Sequence, residues 1–133
     1  MTVRAIVGSA LAGDAGLGAL GLTSAAIVAG NADSVRLRPF LVLSWQDQRP
    51  GFPGHVRGPR ILDLRCHDIP DDYDRIDSIL ARARTVLLGM AGIVDPDSGE
   101  RVTEIHWTGS GGDLRDTERG TILRISTFTV VGG

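Results

Sequence analysis

Lysine is missing from this chain: all fourteen of its basic residues are arginine, set against sixteen acidic ones for a formal net charge of −2. A balance this close to neutral gives no broad positive field for holding nucleic acid, which argues against DNA binding as the main activity. Arginine throughout, with abundant Gly and Ala, is what GC-rich codon usage produces, and the planar guanidinium also suits ion pairs between subunits better than an ammonium does. Cysteine occurs once, at Cys66, so an internal disulfide is excluded and a reducing cytoplasm is the expected site of synthesis. Long apolar runs are lacking as well. The stretch after Met1 is broken by Gly8, Gly13 and Asp14, too short for a signal peptide or a membrane span.

What is present is ordinary for a globular protein: 133 residues, 42% hydrophobic and 23% charged, enough for one domain spanning 1–133 with its own core. Val3, Ile6, Val7, Ala10 and Leu11 recur at the spacing of one face of a short N-terminal helix, which Gly13-Asp14-Ala15-Gly16 ends. Residues 25–29 read as a short strand, followed by a turn at 30–33. Pro39-Phe40-Leu41-Val42-Leu43-Ser44-Trp45 is the surest strand, with proline at its first residue, where a missing N–H is tolerated. In the next strand, residues 61–68, Leu62, Leu64 and Cys66 alternate with Asp63, Arg65 and His67, so one face is expected in the core and the other in water.

Residues 46–60 lie between these strands and hold three prolines and three glycines from Pro50 to Pro59. A loop of this length inside a compact domain is commonly a functional element, and it reads as an extended arm. Tyr73, Ile76, Leu80, Ala83, Leu87 and Met90, with Ile79 and Val86 beside them, form the apolar stripe of a helix over residues 71–90. Asp68, Asp71 and Asp72 are expected to cap its start, and Gly89 and Gly92 to mark its end. A hairpin around Asp95-Pro96-Asp97-Ser98-Gly99, a strand over 101–107, a mobile loop over 108–113 and a strand over 120–131 complete the order. The expected fold class is α+β: a single, mostly antiparallel sheet with the long amphipathic helix and the shorter N-terminal helix packed against it.

Motifs that carry chemistry do not emerge. Gly16-Leu17-Gly18-Ala19-Leu20-Gly21 spells the dinucleotide fingerprint but follows a helix instead of a strand, and Asp33 comes too early to serve it, so it reads as a flexible connector. Cys66 and His67 are strand neighbours pointing to opposite faces and cannot grip one ion, and His106 has no ligand at metal spacing. Cys66 is expected in the core and His67 on the surface. Ser110 lacks the strand-to-helix elbow of a hydrolase nucleophile, and the acidic group from Asp68 to Asp77 lacks the spacing of a calcium loop. No catalytic residue, metal or cofactor is expected.

The strand 38–45, the strand Ile61-Leu62-Asp63-Leu64-Arg65-Cys66-His67-Asp68 and the helix start Asp71-Asp72-Tyr73-Asp74-Arg75-Ile76-Asp77, in that order, resemble the tail terminator proteins of long-tailed (siphovirus-type) bacteriophages, most of all those of actinobacterial phages. The resemblance runs from about Ile27 to the C-terminus. It implies a virion structural protein assembled in the bacterial host cytoplasm, forming a homo-oligomeric, hexameric ring at the neck end of the tail. Its partners would be the major tail tube protein and a head-tail connector or stopper protein. Double-stranded DNA would only pass through the lumen without sequence-specific binding, and no membrane would be involved. On this footing the candidate assembly contacts are Arg49, Phe52, His55, Arg57 and Arg60 of the arm, Ser110 and Asp113 of the glycine-rich loop, and Arg82 and Arg84 on the helix, the last two placed to pair with acidic groups of the next subunit. Two other readings stay open: another head-tail connector or stopper protein, and a small α+β ligand-binding domain or enzyme with the 107–113 loop over a pocket.

Overall fold

Thr2 starts the first helix because its hydroxyl accepts a hydrogen bond from the Ala5 amide at 3.2 Å, filling one of the donors that a helix start leaves open. The computed structural model describes residues 2–30, 38–47, 60–70 and 73–132. That helix, α1 (Val3–Ala12), buries Val3, Ile6, Val7 and Leu11. Asp14 then caps a second helix, α2 (Ala15–Ala19), its carboxylate accepting from the Leu17 amide at 3.0 Å. The expectation of a flexible connector over 16–21 is therefore corrected. The aspartate supplies the cap, Leu17 is fully buried as an anchor, and the side chain of Arg82 lies so close over Gly16 that a Cβ there would collide with it.

Six strands follow, interrupted by one long helix: β1 (Ile27–Ala29), β2 (Phe40–Asp47), β3 (Arg60–Asp68), α3 (Asp74–Leu88), β4 (Val102–Ser110), β5 (Leu114–Asp116) and β6 (Thr121–Gly132). They form one sheet in the order β1-β2-β3-β6-β4, with β5 also on β6. Every pairing is antiparallel except that of β1 with β2. The fold is thus α+β with a mostly antiparallel sheet, as expected. Gln46 and Asp47 extend β2 and Arg60 opens β3 opposite Asp47, so residues 48–59 join the ends of two neighbouring strands. The strand over 101–107 runs on to Ser110, and Gly111 donates to the Ile125 carbonyl at 2.8 Å. β4 and β5 thus lie in line along one edge of β6, and the loop expected over 108–113 shrinks to residues 111–113.

Register assigns each residue to a face, because partners across an antiparallel ladder point the same way. Leu62, Leu64 and Cys66 share a face with Leu43 and Leu41 of β2 and with Ser126 and Phe128 of β6. This is the face that α3 covers. Ile76, Ile79, Leu80, Ala83 and Leu87 of α3 are buried, as is Met90 just beyond it, which is the stripe read from the spacing. At about 1.5–3 kcal/mol for each large side chain fully buried, this layer is the main source of cohesion.

The start of α3 differs from expectation. Its N-cap is Tyr73, with no side-chain capping bond. Asp68 instead receives Nε and Nη2 of Arg75 at 2.6 and 2.5 Å and the Ile69 amide at 2.8 Å, while Asp71 and Asp72 lie outside the described residues. A bidentate partner from the helix's own first turn outcompetes the cap for this carboxylate. His67 is a second correction. Expected in water, it is 5% exposed, its ring stacked on Phe40 with centroids 4.4 Å apart and its Nδ1 2.9 Å from the Thr121 hydroxyl. The alternation placed it correctly on the face away from α3, but the β5–β6 turn and Phe40 cover that face locally.

Candidate assembly surfaces

The seam between α3 and the sheet edge gathers three of the residues singled out from sequence. Trp107, on the outermost strand β4, faces α3 and donates its indole N–H to the Ser126 hydroxyl at 3.0 Å. Its bulk remains 38% exposed, and the Arg84 guanidinium lies 3.8 Å from the ring centroid. A cation over an indole face keeps its in-plane N–H donors available for a further partner. Arg84, Trp107 and Ser110 line one cleft of about 210 Å³ with Arg124 and Asp77. Asp113 closes its rim by accepting from Arg124 Nε at 2.7 Å, and Asp77 takes a second nitrogen of the same guanidinium. Both carboxylates raise the arginine's pKa, Asp113 most.

The other named residues do not join this cluster. Arg82, two residues before Arg84, points away from it and makes a bidentate pair with Asp14 at 2.9 and 2.8 Å, which ties α3 to α2 and lowers the aspartate's pKa. Its charge is thus engaged within the chain. Arg60 sits at the first position of β3, paired across to Asp47 and Val130. Arg49, Phe52, His55 and Arg57 lie outside the described residues. Arg60 places the base of their segment at the end of the sheet where β6 finishes and the Ile93–Arg101 hairpin begins.

Sequence reasoning missed a second surface, on the sheet face away from α3. Val42, Arg65, His67, Leu123 and Ile125 floor a groove of about 550 Å³, and residues 114–119 wall it. Asp116 accepts from Arg119 Nη1 at 2.8 Å and is held below the usual carboxylate range chiefly by that bond. Burial pushes His67 down to about 4, with nearby Asp116 opposing the shift and Arg119, Arg38 and Arg65 adding to it. The ring is thus neutral at physiological pH. Alternation along β3 did place Arg65 and His67 together. The rest of the groove was hidden because β5 is only three residues long and reads as loop.

These features do not amount to a reaction centre among the described residues. Cys66 is fully buried and its thiol pKa is raised, mainly by burial, which removes it as a nucleophile. The groups in the groove engage one another: Asp116 holds Arg119, and His67 faces Thr121. No group of three or more His, Cys, Asp or Glu among the described residues is placed to hold a metal ion. No helix among them is long and apolar enough to cross a membrane.

Comparison with known proteins places the architecture. No family model matches the chain and no curated protein matches it. Among solved structures, a chain from the virion of a native gene transfer agent particle is similar, with a TM-score of 0.78 at 13% sequence identity. The match covers 99% of this chain and 96% of that one. The two share a fold.

Proposed function

We propose that this chain is a structural protein of a phage-type virion, a single-domain subunit that works through the shape and chemistry of its outer surfaces. The observation that carries this reading is the fold held in common, over nearly the full length of both chains, with a component of a gene transfer agent virion. The strand-arm-strand-helix order that resembles tail terminators supports the finer assignment: a ring, six-membered by that resemblance, at the head-proximal end of the tail tube.

The mechanism is geometric. A heterologous interface repeated by rotation closes into a ring, and a ring whose two faces differ can match the tube on one side without repeating the tube's site on the other. Tube growth stops there, and the second face is left for the connector or stopper. The base of the arm at Asp47 and Arg60 and the hairpin bridged at Val94 and Arg101 occupy one end of the sheet. The β5–β6 turn, with exposed Leu114, and Ile69 occupy the other. Each end suits one layer of the stack.

The test is to add the purified protein to polymerising tail tube subunits and image the products by electron microscopy. Tubes of limited length bearing a ring at one end are the expected result. Unchanged tube growth with rings bound to the connector would move the protein to the stopper position, and a monomer indifferent to both would reject a role in the tail.

A further inference from the structure

We infer that the subunits of this ring join through a specific pair of surfaces: the acidic Asp95–Glu100 turn of one copy enters the arginine-lined groove on the α3-free sheet face of the next. The inference rests on the ring reading above and names the interface that would close it.

Three observations lead to it. First, the turn is built in advance. The Asp95 carboxylate accepts from the Ser98 hydroxyl at 2.7 Å and its amide donates to the Glu100 carbonyl at 2.8 Å, while Gly99 adopts φ +73°, a backbone that favours glycine. A turn held this way loses little conformational freedom on docking. Its tip carries Asp97, which is exposed and makes no ion pair among the described residues, and its base carries Ile93 and Val94, 43% and 46% exposed. An acidic tip flanked by uncovered aliphatic side chains has no use for water on its apolar side.

Second, the groove has the complementary composition. Arg65 and Arg115 are exposed at its wall and make no ion pair among the described residues, while Leu123, Ile125 and Leu114 give it an apolar floor and lip. Arginine forks are suited to carboxylates that arrive with defined geometry, and opposite charges around an apolar centre set both register and encounter rate.

Third, one molecule cannot satisfy both halves. The turn leaves the sheet where β3 begins, and the groove lies beyond the middle of that strand toward Thr121 and Leu123, on the face away from α3. A nine-residue strand spans about 30 Å, so the two surfaces sit far apart on the same chain. Different patches meeting between copies make a heterologous contact, which closes into a ring when the rotation permits.

The experiment is charge reversal with exchange. Self-association is measured by sedimentation at low and moderate salt for the wild type, for Asp97→Arg, for Arg65→Glu with Arg115→Glu, and for the chain carrying all three changes. Circular dichroism checks that each variant is folded. Each single-sided variant should associate roughly tenfold more weakly or worse, with the wild type losing association as salt rises. Mixing the two single-sided variants should restore one contact per pair and give dimers but no rings, because each retains one intact half. The variant reversed on both sides should recover association.

A wild type that stays monomeric at the highest attainable concentration in low salt overturns the inference. Loss of association on reversing the turn alone, with the groove variant unaffected, also overturns it, because the turn would then meet another surface. Tube capping is scored separately. Rescue by charge exchange without capping would leave the interface standing and remove the terminator reading, while capping by chains indifferent to every reversal would do the opposite.

Discussion

The two faces of the sheet are both buried near their centres, yet they are built by different means. The face under α3 is a continuous apolar layer, with Leu62, Leu64, Cys66 and Phe128 fully buried beneath the helix stripe and ion pairs confined to the rim. The opposite face has no helix. It closes over Phe40 and His67 by a ring stack and a hydrogen bond to Thr121, and then opens into a groove edged by arginines. The comparison teaches that one face provides cohesion, which tolerates no water, and the other provides recognition, which needs charge at its surface.

The first way to break the comparison is to remove an aromatic side chain from the α3 face. Phe128→Ala should cost about 3–5 kcal/mol, read as a fall in the denaturant midpoint, because a rigid layer cannot collapse around the void. A loss below about 1 kcal/mol would mean this face is loosely packed and would erase the contrast drawn here.

The second prediction uses pH and belongs to the other face alone. His67 titrates at about 4 in the fold against an ordinary value of 6.5, so the unfolded chain takes up the proton first as pH falls. The stability tied to the neutral ring is whole above about pH 6.5, declines between 6.5 and 4, and levels off below 4 after a loss of up to about 3 kcal/mol. Replacing His67 by Phe should flatten the stability curve across that window, measured by thermal unfolding at several pH values. Phe40→Ala should bring the imidazole pKa back toward its ordinary value, which an NMR titration would read directly, while Phe128→Ala should leave it in place.

A smaller effect sharpens the boundary between the faces. Arg75→Ala leaves the Asp68 carboxylate, 3% exposed, without its bidentate partner. The cost should be about 2 kcal/mol, below that for a fully buried pair because the arginine itself is 42% exposed. The smallest expected change is at the seam, where Arg84→Ala removes the cation over Trp107 at a cost of about 0.5–1 kcal/mol. If Arg84 serves assembly, ring formation should suffer more than folding does, so the same variant should be compared in unfolding and in sedimentation.

Much of this architecture was legible from periodicity. The stripe from Ile76 to Met90 and the alternation of Leu62, Leu64 and Cys66 each reflect a residue's relation to its own element, and a local pattern suffices for that. The helix over 16–21 was less visible, because Gly-rich sequence weakens any helical signal and the stabilising partners, Arg82 over Gly16 and Leu17 in the core, come from elsewhere in the chain. For the candidate site, Arg84, Ser110 and Asp113 were named separately as possible contacts. Their convergence around Trp107 and Arg124 required the register of β4 on β6, which two bulges adjust.

The sequence by itself determined which side chains would leave water and in which elements, since spacing along a helix or strand decides which face a residue occupies. Only the tertiary structure decided that His67 is buried and neutral, that Arg82 is engaged by Asp14, and that an arginine groove lies at one end of the sheet and an acidic turn at the other. Those outcomes depend on contacts between residues as far apart as Asp14 and Arg82 or His67 and Thr121. No local pattern encodes such meetings, because they arise only when the strands are ordered and registered in space.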